Sequence, residues 1–319
     1  MNNPAKATGV SIWAALIAIY IVWGSTYLAI RFAVESMPPF LAAGFRFLIA
    51  GAVLYAFRRL RGDPTPLRIE WRSAAIVGLF LLVGGNGGVM WAEQRVASGI
   101  ASLMIASVPL WMALLDSLRP GGRRPNSWVV VGVLAGFAGI LVLIGPAQLI
   151  GIEGEVDLLG ALVLLLAAFF WAVGSLYNRG ARLPDSPLLA TGMEMLVGSL
   201  GLLILGSVTG EWGQLDIAAI STRSWLGFAF LVVFGSWVGF ASYIWLLRVA
   251  PTMLVSTYAY VNPLVAILLG SLLAGEELTA RVLLAAVFIL GSVVLITLKQ
   301  PAIMKSAPVQ NTPSSSGDD

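Results

Sequence analysis

The stretch "LAAGFRFL", Leu41–Leu48, returns 148 residues later as "LATGMEML", Leu189–Leu196. Four further matches occur in the same order along the chain, at nearly constant offsets of 150 to 154 residues. Five collinear matches predict an internal duplication, and a duplication decides the architecture of a chain. The further matches are "GSTY" (Gly24–Tyr27) with "GSLY" (Gly174–Tyr177), Gly84 and Gly88 with Gly235 and Gly239, Pro109 with Pro263, and Gly139 with Gly291.

The composition around these matches is that of an integral membrane protein. Of the 319 residues, 58% are hydrophobic and only 11% are charged, and the mean hydropathy is +0.90. Apolar stretches of about 18 to 22 residues, long enough to cross a hydrocarbon core of roughly 30 Å, recur along the chain. The ten predicted spans lie near residues 12–31, 39–57, 73–91, 98–117, 127–145, 158–178, 188–208, 225–246, 253–273 and 280–298.

Each copy of the duplicated unit contains five predicted spans. Because five is odd, the second copy enters the membrane from the opposite side to the first. We therefore predict an all-α integral membrane protein with ten transmembrane helices in two inverted five-helix repeats, at residues 12–145 and 158–298. Residues 299–319 are predicted to form a disordered cytoplasmic tail. Many secondary transporters have inverted repeats and bind substrate near the midplane, where the halves meet.

The basic residues predict the orientation of the bundle. All but five of the 19 Lys and Arg residues lie on the side of the predicted bundle that carries both termini. Because Lys and Arg concentrate in cytoplasmic loops, the N- and C-termini are predicted to be cytoplasmic. The five exceptions are Arg31, Arg46, Arg95, Arg223 and Arg281.

Several function classes are disfavoured by what the sequence lacks. It contains no Cys and no His, which removes disulfides, thiolate metal sites and the commonest proton shuttle at neutral pH. It has no glycine-rich nucleotide loop followed by Lys and Ser or Thr, which argues against ATP hydrolysis by this chain. Its basic residues lie in short loops, so we expect no nucleic-acid partner. The expected partners are a small-molecule substrate and the lipid bilayer, without a cofactor or metal.

Two matched prolines lie near the middle of predicted spans four and nine. Pro109 and Pro263 each remove one backbone hydrogen bond, which frees the carbonyls of Ile105 and Ala259. One explanation is a simple packing kink. The other is a cavity in which water or a ligand uses these carbonyls. The polar residues of "STYAYVN", 256–262, add hydrogen-bonding groups at the same depth and favour the cavity.

Arg46 and Glu194 are the clearest ionisable residues inside predicted spans, at matched positions of the two copies. Such residues are costly unless they face a partner or water, so both are candidate functional residues. They lie about 10 Å apart in depth at about 1.5 Å per residue, which leaves direct pairing open. Tying neighbouring helices together is the alternative role. Glu194 is the candidate proton carrier, whereas Asp116 is expected to be solvated and Glu276 to cap the end of span nine.

The sequence also resembles a known family through an ordered set of motifs. These are similar to motifs of the EamA branch of the drug/metabolite transporter (DMT) superfamily, and within it of the YedA-like exporters, from about residue 12 to 298. The resemblance implies a bacterial inner-membrane carrier with a central cavity lined by spans one, three, four, six, eight and nine. The motifs are "WGSTYLAIR", "PPFLAAGFRF", "GNGGVMWAEQRVASGIASL", "EMLVGS", "STYAYVNPLVAILLG" and "GEELT".

We expect a secondary active transporter that exports small metabolites, amino-acid-like compounds or drugs by alternating access. Import or facilitated diffusion is an alternative, because inverted symmetry gives no direction, and an intramembrane lipid-modifying enzyme is the alternative from another class. Helix packing is the alternative role for Gly24 and Ser25. The candidate substrate-binding residues, most of them implied by the resemblance, are Trp23, Ser25, Tyr27, Arg46, Asn86, Ser107, Pro109, Trp171, Ser175, Tyr177, Trp237, Tyr243, Tyr258, Asn262 and Pro263.

Overall fold

The computed structural model describes residues 9–118, 127–145, 156–250, 252–255 and 257–299. Within these residues the chain is all-α, with eight helices long and apolar enough to cross a membrane and two shorter apolar helices, which confirms the predicted fold class. The helices are α1 Gly9–Ala33, α2 Pro39–Leu60, α3 Arg68–Ala92, α4 Ser98–Leu118, α5 Ser127–Ile144, α6 Leu158–Asn178, α7 Pro187–Val208, α8 through Thr222–Phe230, Leu231–Val238 and Gly239–Val249, α9 Tyr258–Ala274, and α10 Ala280–Lys299.

Each predicted span corresponds to one of these helices. The differences are largest at α3, which begins at Arg68 rather than at 73, and at α9, which begins at Tyr258 rather than at 253. The chain before α9 forms a separate turn, Thr252–Val255. Apart from residue 299, the predicted tail lies outside the described residues. We call the side of the bundle where α1 begins the termini face, and the side of the connections 34–38, 93–97, 209–221 and 275–279 the far face.

Helices α2 and α7 pack against each other along a seam that repeats itself. A Cβ on Gly44 would lie 2.8 Å from the Leu203 side chain, and a Cβ on Gly192 would lie 2.9 Å from the backbone nitrogen of Tyr55. Gly192 follows Gly44 by 148 residues, and Leu203 follows Tyr55 by the same 148. The two contacts are thus copies of each other, which is the geometry of two antiparallel, two-fold-related helices. Glycines permit this close approach of backbones.

Carboxylates at the two ends of the seam are also matched. Glu211, after α7, accepts the Leu41 amide in the first turn of α2 at 2.8 Å. Asp63, after α2 and 148 residues before Glu211, binds Arg58 at 2.6 Å. The hydrogen bonds of Arg58 and of Ser186, just before α7, lower the pKa of Asp63. Burial raises the pKa of Glu211, which the α2 amides oppose.

Three helices are irregular, two of them at matched places. A π-helical segment forms Leu79–Gly87 of α3, and a second forms Leu231–Val238 of α8. Helix α4 is interrupted between Ile105 and Val108. Such wider turns inside α-helices are frequent at functional sites.

A polar side chain stabilises each π segment in the same way. Asn86 Nδ2 donates to the Leu81 carbonyl at 3.3 Å, and Ser236 Oγ donates to the Leu231 carbonyl at 3.0 Å. Both bonds reach back five residues, and the two sets lie 150 residues apart. The duplication therefore extends to the irregular turns of the third helix in each repeat.

Candidate functional site

Trp23 of α1 packs directly on the π segment of α8. Its indole nitrogen donates to the Gly235 carbonyl at 3.2 Å. The ring occupies the space that a Cβ on Gly239 would need, so the side chain fits only because this position of α8 is a glycine. Trp23 therefore links the first helix of one repeat to the third helix of the other.

Trp171 of α6 packs against the π segment of α3 in the other half. A Cβ on Gly85, in the π segment of α3, would lie 2.8 Å from Cε3 of Trp171. Gly85 and Gly235 are 150 residues apart. Each repeat thus places a tryptophan from its first helix against a glycine in the π segment of the other repeat.

Trp23 is also the centre of an aromatic cluster formed with Phe240, Tyr243 and Tyr258. The ring centroid of Trp23 lies 5.6 Å from that of Phe240, 5.2 Å from that of Tyr243 and 5.1 Å from that of Tyr258. The Tyr243 and Tyr258 centroids are 5.8 Å apart. These rings come from α1, α8 and α9, and their edge-to-face and tilted geometry is the favourable one for aromatic pairs. The sequence analysis missed Phe240.

The hydroxyls of Ser25 and Ser107, two predicted site residues, are satisfied by their own segments of chain. Ser25 Oγ donates to the Ile21 carbonyl at 2.6 Å, and Ser107 Oγ donates to the Met104 carbonyl at 2.5 Å. Gly24, in contrast, faces another helix, since a Cβ there would lie 2.6 Å from Cβ of Val265 in α9. The stretch therefore contributes a close helix contact through Gly24, the packing alternative, and an internal hydrogen bond through Ser25.

The matched prolines do not have matched surroundings. Pro109 follows the interruption of α4, in which Ser107 takes part. Pro263 lies inside the uninterrupted helix α9, although only five residues after its start. Asn262, beside it, is 8% exposed, and its Oδ1 has no hydrogen-bond partner among the described residues. A buried acceptor of this kind is free to bind a donor from a ligand.

Arg46 is buried in the contact between α2 and the π segment of α8. It is 4% exposed, its Nε donates to Ser236 Oγ at 3.3 Å, and its Nη1 has no partner among the described residues. Its Nη2 lies where the absence of a side chain at Gly235 leaves room. The guanidinium therefore keeps unused donors next to Gly235, whose carbonyl accepts the hydrogen bond from Trp23.

Glu194 faces another part of the bundle. Along the seam, Gly51 is level with Met195, with 2.8 Å between a Cβ at Gly51 and the Met195 Cβ. With Gly51 level with Met195 and Gly44 level with Leu203, Arg46 and Glu194 lie six to seven residues, or about 10 Å, apart along the helix axes. The Glu194 backbone abuts Gly78 of α3, whereas Arg46 contacts α8. No ion pair joins the two side chains, which answers the question of direct pairing.

The other predicted site residues have varied positions. Trp237 donates from its indole to the Ala50 carbonyl at 3.3 Å and so ties α8 to α2. Tyr27 and Ser175 are half-buried. Tyr177 is 39% exposed in the last turn of α6 and makes none of the ring contacts of the aromatic cluster. Asp116, expected to be solvated, is in fact buried at 3% exposure.

Two acidic residues gain importance from the structure. Glu93, which the sequence analysis did not single out, is wholly buried at the end of α3. Glu276 reaches across the bundle to the start of α4, beyond the end of its own helix. In the described residues no group of three or more Asp or Glu side chains is arranged to hold a metal ion.

Comparison with known families identifies the chain. The model of the EamA-like transporter family matches residues 10–145 and, a second time, residues 158–298. The chain belongs to this family. The two matches coincide with the two repeats that the seam relates to each other, and the expected family assignment is confirmed.

Relatives of this EamA chain include proteins named as transporters. The "Uncharacterized inner membrane transporter YedA" of Escherichia coli K12 is 40% identical, covering 95% of this chain and 97% of the relative. A WAT1-related chloroplastic protein of Arabidopsis thaliana is 28% identical, covering 90% of this chain and 70% of its own length. One solved crystal structure has a TM-score of 0.61 and 24% identity, over 92% of this chain and 99% of that one, and shows the same fold.

Proposed function

We propose that this protein is a secondary active transporter of the bacterial inner membrane that exports small metabolites, amino-acid-like compounds or drugs. The main support is that each half places a tryptophan on the π segment of the other half. Inverted halves that meet through equivalent contacts can exchange conformations, which opens a shared site to one side and then to the other. The E. coli relative is named an inner membrane transporter, which supports the location.

The chemistry of the proposed site suits a small amphipathic solute. The aromatic cluster offers ring faces for stacking or for a cation. The unused donors of Arg46 and the free Oδ1 of Asn262 offer directional polar contacts beside it. A mostly apolar site with a few placed polar groups is typical for ligands of this size.

Coupling and orientation form part of the same proposal. Glu194 has no hydrogen bond to another described residue and lies at mid-helix in α7, so it is the proposed proton carrier. The distribution of Lys and Arg supports a cytoplasmic termini face and a periplasmic far face. Import, or facilitated diffusion down a gradient, uses the same geometry and differs in the driving force.

An intramembrane lipid-modifying enzyme is the alternative from another class. It would need an acid and a base, or a nucleophile, brought together inside the bundle. Arg46 and Glu194, the mid-span ionisable pair, face different helices about 10 Å apart, which supports a carrier over an enzyme.

Flux measurements with purified protein test the proposal. We expect saturable uptake of small amphipathic solutes into proteoliposomes, and a strong reduction in Trp23→Ala. A metabolite comparison between cells that overproduce the protein and cells that lack it tests the direction. Increased uptake with an unchanged extracellular profile would replace export by import, and absence of saturable flux for the solutes so identified would contradict the carrier.

A further inference from the structure

Glu93 presents an unusual combination of burial and missing partners. It directly follows α3 at the far face, its exposed fraction is 0%, and neither carboxylate oxygen has a hydrogen-bond partner among the described residues. Arg31, in the last turn of α1, donates to the backbone carbonyl of Glu93 at 2.5 Å and leaves the carboxylate unbonded. A buried carboxylate without hydrogen bonds is costly as an anion and much less costly once protonated.

Glu276 connects the end of α9 to the start of α4. Its Oε1 accepts the Ser98 amide at 2.7 Å, and its Oε2 accepts the Gly99 amide at 3.0 Å. These are the first two amides of α4, which have no acceptor inside their own helix and which favour a negative charge. We call this contact the α4 cap. It ties the second repeat to the first at the far face.

The chain around Glu276 is shaped to make the α4 cap. Gly275 has a left-handed φ of 67°, which a residue with a side chain rarely adopts. The chain reverses there, and the Glu276 amide bonds the Gly270 carbonyl at 3.1 Å. A Cβ on Gly270 would collide with the Glu276 carboxylate, so glycine is required at that position as well.

Few charged groups among the described residues act on Glu93. The titratable groups of neighbouring described elements that act on it or sense it are Arg31 and Tyr27 of α1 and Glu276. Two further charged groups are engaged elsewhere, Arg95 over the Trp91 ring at 4.9 Å and Asp157 with the Gly160 amide of α6 at 2.6 Å.

The sign of the electrostatic effect is clear. Burial raises the pKa of Glu93 well above its usual value, the Glu276 carboxylate raises it further, and Arg31 opposes the rise. Compared with an arrangement in which Glu93 is hydrated, the closed far face thus binds a proton more tightly. The stabilisation of the closed far face by this proton is fully present below the ordinary glutamate pKa of about 4.3. It is lost as the pH rises through the raised pKa of Glu93.

We propose that Glu93 is a proton-binding site that controls closure of the far face. With a proton on Glu93, the Glu276 carboxylate holds the α4 cap without repulsion from Glu93. When Glu93 releases its proton to water, the buried Glu93 carboxylate and the half-buried Glu276 carboxylate repel each other. The α4 cap then separates, and water solvates both groups.

This inference rests on the proposed function for its role in transport. In the proposed orientation, a proton taken up from the periplasmic side closes the face through which a solute has just left. Proton binding at this face would thereby complete the step that follows release of the solute. The site is distinct from Glu194, which lies at mid-helix in α7.

A single thiol can report on the far face, because the natural chain contains no cysteine. Ser98→Cys is suitable since the Ser98 hydroxyl is buried and has no partner among the described residues, while only its backbone amide joins the α4 cap. The full-length protein in lipid vesicles is labelled with a membrane-impermeant maleimide between pH 5.5 and 8. Each rate is divided by that of the same protein unfolded in detergent, which removes the ionisation of the thiol itself.

We expect the corrected rate to rise about tenfold or more across this range, because one pKa unit of difference between closed and open states changes their ratio about tenfold. With Glu93→Gln, the rate should stay low at every pH. With Glu276→Gln, it should be high already at pH 5.5. Glu277→Gln, which removes an exposed neighbouring charge, is the matched control and should behave like the parent.

An equal pH dependence with and without Glu93→Gln would overturn the proposal. If Glu93→Gln does not fold, Arg31→Gln provides a second test, since removing the opposing cation should move the midpoint to higher pH. An unmoved or lowered midpoint would equally contradict the proposal. The labelling needs no solute, so a failed transport assay leaves this result intact, and measured flux without pH-dependent labelling would reject Glu93 while keeping the carrier.

Discussion

Helices α4 and α9 are the fourth helices of the two repeats, but their starts are built differently. Helix α4 begins at the far face with its first two amides bound by Glu276. Helix α9 begins at the termini face after Thr257, which provides no side-chain cap and whose hydroxyl shares a hydrogen bond with Tyr20. The α2–α7 seam, in contrast, repeats its contacts in both directions. Symmetry is kept where the halves are joined and is lost at the helix starts that alternating access would move.

The largest expected effect on stability comes from disrupting the α2–α7 seam. Gly192→Leu would push a side chain into the backbone of Tyr55, and overpacking of this kind costs about 1–3 kcal/mol or more. We expect a clear drop in the melting temperature of the purified protein. Gly180→Leu is the control, because nothing lies within 4 Å of a Cβ there. Equal melting of both variants would show that the seam does not hold the halves together.

The next effect concerns Trp23 and Trp171, the two tryptophans that contact the π segments. Trp23→Ala removes three ring contacts and a hydrogen bond, and aromatic pairs contribute roughly 0.5–1.5 kcal/mol each. We expect the flux to fall about tenfold or more, and Trp171→Ala to reduce it less. Trp13→Ala, at a position 55% exposed, is the control. Equal losses in the Trp23 and Trp171 variants would indicate a site used symmetrically by both halves.

A third prediction separates the two proposed proton sites. Glu194→Gln should remove the dependence of flux on a pH gradient while leaving exchange of solute between equal pools. Glu93→Gln should slow both, because it keeps the far face closed. The measurement is flux into proteoliposomes with and without a pH gradient. A Glu194→Gln protein that still responds to the gradient would lose its proposed role.

The smallest effects are expected at the matched carboxylates Asp63 and Glu211. The pKa of Asp63 is lowered, so its contribution to stability is present above the ordinary value near 3.9 and is lost as the pH falls through the lowered pKa. Asp63→Asn should therefore reduce the melting temperature slightly at pH 7 and not below about pH 3. The pKa of Glu211 is raised, so Glu211→Gln should flatten the pH dependence of stability above the ordinary glutamate pKa of about 4.3. Identical pH profiles for the two variants would contradict the assignment.

The sequence predicted the features that are local or repeated. Each of the ten predicted spans corresponds to a helix, which could be predicted because length and hydropathy are properties of short segments. The duplication predicted that Gly44 and Gly192 occupy equivalent positions, and in the seam they have equivalent neighbours. The separation of about 10 Å in depth between Arg46 and Glu194 also follows from their positions along the helices.

Features that depend on packing between helices could not be predicted. Glu276 was expected to cap its own helix, but the left-handed turn at Gly275 carries it to α4. Asp116 was expected to be solvated because it lies near a helix end, and neighbouring helices bury it. The hydroxyl of Ser25 could face a cavity or bond the backbone of its own helix, and sequence spacing is the same in both cases. In the structure it donates to the Ile21 carbonyl.

The seam between α2 and α7 has a consequence for the history of the chain. Its contacts are isologous, since residue i of one helix meets residue j of the other and the counterpart of j meets the counterpart of i. Two separate copies of a single five-helix protein, inserted in opposite orientations, would meet through the same surface. The seam therefore has the geometry that the interface of such an antiparallel homodimer would have. Because both copies are in one chain, each can differ from the other, and they carry an arginine and a glutamate at the same position.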